Sequence, residues 1–228
     1  MAKKKQVSKK AQIDQSEKTV QYAAIAVIVL VIGFFLWRFI PWGSLTAAPE
    51  SPAEGISGEI KQWDAAPEMM LDESKSYFAT VELEKGGSFV IELYPDKAPL
   101  TVNNFVFLAR EGFFDGVTFH RVLAGFMAQT GDPTGTGMGG PGYEFVNESS
   151  DLTFDKEGVV AMANSGPDTN GSQFFITFGA AEWLNGGYTI FGQVIEGMDV
   201  VNSITLRDPD ANPDFTGDVI KSITITEE

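Results

Sequence analysis

Apolar and polar residues alternate along 78–83 (Phe-Ala-Thr-Val-Glu-Leu) and again along 89–93 (Phe-Val-Ile-Glu-Leu), with Gly86-Gly87 between the two runs. Alternation sends every second side chain to one face, so the runs read as half-buried strands and the glycine pair as the turn of a hairpin. From Pro99 the period lengthens: Val102, Phe105, Val106 and Ala109 recur at helical spacing, Pro99 suits a first helical position and Gly112 a stop. Short apolar runs at 117–121, 126–130, 159–163, 174–178, 189–194 and 220–225 read as further strands, and 198–206 as a second helix. Many short strands with only two helices predict a closed or nearly closed β-barrel with helices over its ends.

The first part of the chain is patterned differently. Residues 19–37 carry no charge; as a helix the run would be roughly 28 Å long, enough to cross a bilayer once. Its length exceeds the usual apolar region of a signal peptide, and the small-residue candidate Thr46-Ala47-Ala48 is followed by Pro49, so an uncleaved anchor is expected. Six lysines precede the run against Asp14 and Glu17, whereas from residue 39 onward nine basic residues face twenty-nine acidic ones. Lysines near a span stay on the cytoplasmic side, which predicts a single-pass protein with its N-terminus inside and its folded domain extracytoplasmic. Residues 41–75, rich in Pro, Gly, Ser, Ala and Glu without a sustained period, read as a tether, including the short amphipathic stretch 60–70. The expected division is a basic cytoplasmic tail over 1–18, a transmembrane signal anchor over 19–40, a flexible linker over 41–75 and a folded domain over 76–228.

Charge and composition exclude several chemistries. A formal net charge of −15 argues against nucleic acid as a partner, since phosphate binding needs clustered Lys and Arg. The chain has no cysteine and His120 as its single histidine, so neither a zinc site nor a thiol nucleophile can be assembled. Gly135-Thr136-Gly137-Met138-Gly139-Gly140 matches the dinucleotide fingerprint as written, but Pro141-Gly142 forbids the helix that must follow, which leaves a glycine-rich surface loop. The stretch 208–214 alternates oxygen ligands like a calcium loop, yet Pro213 stands where the turn glycine belongs and Val219 where the closing Glu belongs. No metal and no cofactor are expected.

What remains is Arg121 among apolar strand-like runs, where an unpaired guanidinium is costly, together with Phe126, Met127, Gln129 and Phe175. Any one of these alone would be read as core filling. Beside Arg121 on a strand, the His120 side chain points to the opposite face and takes a structural role.

The motifs Thr118-Phe119-His120-Arg121-Val122, Gly125-Phe126-Met127-Ala128-Gln129, Gly131-Asp132, Gly135-Thr136-Gly137, Val160-Ala161-Met162-Ala163-Asn164, Asn170-Gly171-Ser172-Gln173-Phe174-Phe175-Ile176, Trp183-Leu184 and Phe191-Gly192-Gln193-Val194 follow one another in order and register. In this the chain from Tyr77 to Glu228 resembles a compact cyclophilin domain of the bacterial type, a peptidyl-prolyl cis-trans isomerase. The resemblance implies a closed eight-stranded antiparallel β-barrel capped by two helices, here preceded by a single transmembrane helix, and an outer groove that binds X-Pro segments of folding proteins. It makes Arg121 the catalytic residue and gives Phe126, Met127, Phe175 and Leu184 the proline pocket, with Phe174 close by in the barrel. Gln129, Ala163, Asn164 and Trp183 then position the substrate.

Two residues depart from the family pattern. Tyr188 stands where a histidine is best known at the pocket rim, and Ala124 where a proline is common, which implies altered substrate preference rather than inactivity. Trp183 is the residue type that favours a cyclosporin-like inhibitor. The partners expected are thus proline-containing segments, a cyclosporin-like inhibitor, and the membrane through 19–40. A binder that merely holds proline segments would use the same groove; Arg121, Gln129 and Phe175 together favour the enzyme.

Overall fold

The computed structural model describes residues 60–72, 74–211 and 213–228. The expected tail and transmembrane anchor over 1–40, and the linker as far as residue 59, lie outside the described residues.

The alternating runs form β1 (Tyr77–Leu83) and β2 (Ser88–Leu93), paired antiparallel with Ala79 opposite Ile91. Gly86 and Gly87 close the hairpin at φ +94° and +90°, a region open to glycine. Helix α1 (Pro99–Arg110) follows, with Val102, Phe105, Val106 and Leu108 buried. Its first amides find a partner far along the chain: the Glu148 carboxylate accepts from Leu100 N–H at 2.9 Å and Thr101 N–H at 2.8 Å, where a negative charge suits the helix start. The remaining elements are β3 (Arg121–Leu123), β4 (Met127–Thr130), β5 (Val159–Met162), β6 (Phe174–Thr177), β7 (Ile190–Glu196), α2 (Met198–Asn202) and β8 (Ile220–Glu227).

Two boundaries differ from the sequence reading, each for a local reason. Helix α2 ends at Asn202 rather than 206, because Thr205 N–H is drawn out of the helix to the Asp218 carboxylate at 2.6 Å. The run 117–121 is strand only from Arg121, since Phe119 N–H bonds Asp218 O at 2.8 Å and Thr118 makes an isolated bridge to Val219.

One antiparallel sheet runs in the order β3-β4-β6-β5-β7-β2-β1-β8. It curls, and its two edges meet through the bridge Thr118–Val219 and main-chain bonds from Gly116 N–H to Ile220 O, Ile220 N–H to Val117 O and Phe119 N–H to Asp218 O, which lie before β3 begins and so form no β3–β8 ladder. The expected closed barrel is therefore a curled, incompletely closed one. The interior is aromatic: Phe105 of α1 lies 5.2–5.4 Å from Phe114, Phe174 and Phe191. Strands β5 and β6 are buried along their whole length. In β6, Phe174 and Ile176 face the interior core, whereas Phe175 belongs to a second apolar cluster on the outer face with Met127, Phe154, Val159, Ala161 and Ile190. Burial on both faces explains why these strands read as continuous apolar runs instead of alternating ones.

The folded unit also reaches further upstream than residue 76. Residues expected within the linker lie on the domain: Trp63 packs edge-on against Phe107 of α1 with centroids 5.1 Å apart, and Trp63 N–H donates to Pro141 O at 2.8 Å. An indole ring buries too much apolar surface to be left in water when a helix face is within reach.

Candidate active site

Antiparallel register aligns the site. Arg121 of β3 lies opposite Gln129 of β4, Gln129 opposite Phe175 of β6, and Phe175 opposite Ala161 of β5, so one cross-strand row holds a guanidinium, an amide and a phenyl ring on the same outer face. Two residues further along, Leu123 pairs with Met127 and extends the face with apolar side chains. Neighbouring positions point the other way: Val122, Ala128, Phe174 and Ile176 belong to the interior core. Phe174 thus supports the site from behind and does not line it.

Arg121 is half-buried, and its guanidinium takes part in none of the ion pairs among the described residues. Its Nη1 donates to Gln129 Oε1 at 3.5 Å and approaches Met127 Sδ at 4.0 Å, both long contacts. Donor capacity is left free on the groove side. Alongside lies an apolar cluster. Phe175 and Met127 are its buried members, Phe126, Ala163, Leu184 and Tyr188 pack around them half-exposed, and Tyr188 meets Phe175 edge-on at 5.5 Å. Trp183, 70% exposed, stands at the rim with its ring 5.7 Å from Phe126. The expected residues Arg121, Phe126, Met127, Gln129, Ala163, Phe175, Leu184 and Tyr188 are thus brought together on one face.

Asn164 is held at the edge: its Nδ2 donates to Gly187 O at 3.1 Å and its Oδ1 accepts from Gly166 N–H at 3.2 Å. That leaves its side chain committed to the rim loops, and Asn164 can meet a ligand chiefly through its main chain. From Gln129, Asn164 and Ala163 a cavity of about 610 Å³ continues under the glycine-rich loop toward Tyr143 and Glu144.

That loop is anchored from below. The Asp132 side chain, fully buried, accepts from Thr134 N–H and Thr134 Oγ at 2.7 Å each and from Gly137 N–H at 2.5 Å. Burial by itself would raise the Asp132 carboxyl pKa, but these hydrogen bonds outweigh it and hold the group below its ordinary value. From above, Gln173 Nε2 donates to the carbonyls of Gly137 and Gly139 at 3.0 and 2.9 Å, and Gln173 Oε1 accepts from Gln129 Nε2 at 2.9 Å. An unbroken polar chain therefore runs from Arg121 through Gln129 and Gln173 to the loop. The glycine-rich segment is a loop, with no helix after it to receive a pyrophosphate.

Residues 78–227 match the family model described as cyclophilin type peptidyl-prolyl cis-trans isomerase. The chain belongs to the cyclophilin family. A peptidyl-prolyl cis-trans isomerase-like 1 protein of Rhizopus delemar is 53% identical over 130 residues, covering 55% of this chain and 79% of the relative. The human protein of the same name is 52% identical over 122 residues, covering 52% and 74%. Among solved structures, a cyclophilin type isomerase of Cryptosporidium parvum is similar at TM-score 0.61 and 34% identity, covering 67% of this chain and 99% of that one. A second structure of that protein, determined in the presence of the dipeptide Ala-Pro, is similar at TM-score 0.59 and 33% identity, covering 66% and 99%.

These relatives bear on two expectations. They are isomerase-like 1 proteins of fungi and mammals and lend no support to the bacterial type. The single-pass placement with an extracytoplasmic domain is overturned by the same relatives, and among the described residues no helix is long and apolar enough to cross a membrane. The lysine rule gives an orientation only once a span is granted, and neither the relatives nor the described residues supply one. Nor do the relatives show the membrane as a partner.

Sequence reasoning missed two contributors. Gln173 stood inside a recognised motif without a role, because its hydrogen bonds go to main-chain carbonyls that no side-chain pattern marks. Phe154 lies outside every motif, yet it stacks under Phe175. His120, on the face away from the groove, is buried with neither ring nitrogen bonded to a protein group. Burial pushes its pKa down, the nearby Asp132 charge opposes this, and Arg207 and Arg121 reinforce it.

Proposed function

We propose that the outer groove of this cyclophilin binds X-Pro segments with the pyrrolidine ring in the pocket of Phe126, Met127, Phe175 and Leu184, and that Arg121 is its catalytic residue. The reaction makes and breaks no bond. Rotation about the X-Pro amide faces a barrier of roughly 20 kcal/mol because resonance is lost as the bond twists, so the enzyme need only be complementary to the twisted state. In that state the prolyl nitrogen becomes pyramidal and gains a lone pair. A guanidinium aimed at it stabilises the transition state more than the planar ground state, and the effect is larger where water is partly excluded.

The observation that carries this reading is the position of Arg121: half-buried, in the same cross-strand row as Phe175, and outside the ion pairs of the described residues. Gln129 and the main chain at Asn164 are placed to hold the flanking carbonyl and amide, so one side of the bond stays fixed while the other turns. Tyr188 supplies an aromatic wall and a hydroxyl at the rim, and Trp183 an exposed indole beside Phe126 that suits a cyclosporin-like ring. The proline pocket is consistent with a similar isomerase having been studied with Ala-Pro. The test is the cis-to-trans rate of a short X-Pro peptide with the full-length chain and its Arg121→Ala variant. The variant should lose about 10²-fold or more in kcat/KM, as removal of such a donor typically does. Full activity in a folded Arg121→Ala protein would sink the mechanism.

A further inference from the structure

Strand β3 is an edge of the sheet, yet it is not left bare. Residues 206–208 run beside it as one further rung: Val122 N–H donates to Arg207 O at 2.7 Å, and Arg207 N–H returns to Val122 O at 2.9 Å. The rung is fixed on both sides. Just before it, the Asp218 carboxylate accepts from Thr205 N–H at 2.6 Å and from Thr205 Oγ1 at 3.2 Å. Within it, Arg207 Nε donates to Phe215 O at 2.8 Å and its Nη1 donates to His120 O. Just after it, Asp208 Oδ1 accepts from Asp210 N–H at 3.0 Å and Asp208 O from Ala211 N–H at 3.1 Å.

Antiparallel register decides which side chains this rung adds to the groove. Val122 faces the interior core, and Arg207, bridged to it, shares that side. The two neighbours of Arg207 therefore turn to the outer face, Leu206 beside Leu123 and Asp208 beside Arg121. The cross-strand row that runs from Ala161 through Phe175 and Gln129 to Arg121 is thereby carried on to Asp208. Leu123 packs against the outer apolar cluster, whereas Leu206 is 56% exposed and joins neither cluster of the described residues. One exposed leucine is ordinary on any surface. This one stands on fixed main chain and continues the face that carries Arg121 and Phe175, with a carboxylate next to it.

We propose that residues 206–208 extend the groove past Arg121 and bind the residue that flanks the X-Pro pair on that side, Leu206 selecting an apolar side chain and Asp208 turning away a carboxylate. The proposal rests on the isomerase reading of the adjoining groove and adds a substrate preference to it. Two observations choose the occupant: the outer face is continuous from the cluster around Phe175 to Leu206, and the charge at its far end is negative. A platform already ordered before binding loses little entropy when a side chain settles on it, so a modest apolar contact is expressed in the affinity.

The experiment measures kcat/KM of the full-length chain on peptides that share one X-Pro core and carry Leu, Ala or Glu at the flanking position, on either side of the core. On one side the wild type should favour Leu over Ala by about three- to ten-fold, the range for half-burying a leucine side chain, and Glu should be the poorest. Leu206→Ser should bring that Leu-to-Ala ratio close to one, and Leu206→Met should keep it. Asp208→Asn should raise Glu relative to Ala by about two- to five-fold, as for an exposed charge pair. Ratios between peptides on one enzyme are independent of the fraction that is folded, so a loss of stability does not imitate either change. A wild-type Leu-to-Ala ratio near one on both sides, a preference that survives Leu206→Ser, or a Glu-to-Ala ratio that Asp208→Asn does not move overturns the proposal while leaving the isomerase reading intact. Absence of turnover on every peptide overturns that reading and the proposal with it.

Discussion

Phe154 lies flat beneath Phe175, their centroids 5.8 Å apart and their planes 13° from parallel, so Phe175 rests on a ring that is itself fully buried. Phe154 is itself fixed by its main chain, whose N–H donates to Asn185 Oδ1 at 2.9 Å and whose carbonyl accepts from Ala181 N–H at 2.7 Å. The segments bearing Leu184 and Tyr188 are thus tied to the same residue.

Truncating that support should cost both stability and binding. Phe154→Ala is expected to destabilise the protein by about 3–5 kcal/mol, the usual range for an aromatic removed from a packed core. Phe154→Leu keeps most of the volume and should remain folded, but Phe175 loses its flat support. In that variant KM for an X-Pro peptide should rise with kcat little changed, because the pocket grips ground state and transition state alike. Denaturant unfolding and Michaelis kinetics on the two variants check this; an unaltered KM in folded Phe154→Leu would show that Phe175 needs no such support.

Gln173 is expected to matter more than its place beside the groove suggests. Gln173→Ala leaves Gln129 Nε2 without its 2.9 Å partner and frees the carbonyls of Gly137 and Gly139. Loss of a net hydrogen bond in a partly wet site is worth about 1 kcal/mol, or about five-fold in kcat/KM. Gln173→Glu preserves the acceptor toward Gln129 but not the donation to the loop, so it should recover part of the loss. If the two variants match the wild type in steady-state assays, the polar chain from Arg121 to the loop has no functional weight.

How much of this was legible in the sequence depended on whether the decisive contacts were local. The β1–β2 hairpin and helix α1 came directly from periodicity and glycine placement. The cross-strand row of Arg121, Gln129 and Phe175 could be anticipated only from a family resemblance, since nothing in residue spacing says that β4 pairs with β6 rather than β5. The docking of residues 60–72 on the domain was missed because their amphipathic stretch is short and their partners, Pro141 and Asn103, lie far along the chain. The placement across a membrane failed for a different reason, having been built on a run whose surroundings the folded domain does not reveal. The glycine-rich loop shows the value of context over pattern: its fingerprint matched, and Pro141-Gly142 correctly ruled out the helix.

The loop's anchor gives a sharper test of positioning. Asp132→Ala removes the acceptor of Thr134 N–H, Thr134 Oγ and Gly137 N–H in a fully buried site, and stability should fall by about 3 kcal/mol, the upper end for donors left unsatisfied. Asp132→Asn keeps the size and one acceptor oxygen and should lose less. Hydrogen exchange at the amides of 134–139 should quicken in both, in proportion to the stability lost; unchanged protection there would mean that the loop is held by Gln173 alone.

Acid sensitivity near neutrality should trace to His120. Its folded pKa is lowered from the ordinary 6.5, with burial the main cause, so the unfolded chain binds a proton more readily than the native one. Stability from this group is therefore complete above pH 6.5 and declines as the pH falls toward the lowered folded value. The charges that face it have both signs, Asp132 opposing the shift and Arg207 and Arg121 reinforcing it. Asp132 titrates in a separate window: its carboxyl is lowered from 3.8, and its contribution is lost only as the pH drops below that value. Since neither ring nitrogen of His120 bonds a protein group, His120→Phe should fold and should flatten the stability profile between pH 7.5 and 5 without changing it below 4. Denaturant midpoints at those pH values distinguish the cases: a slope near pH 6 that survives in His120→Phe would have to come from groups other than the chain's single histidine.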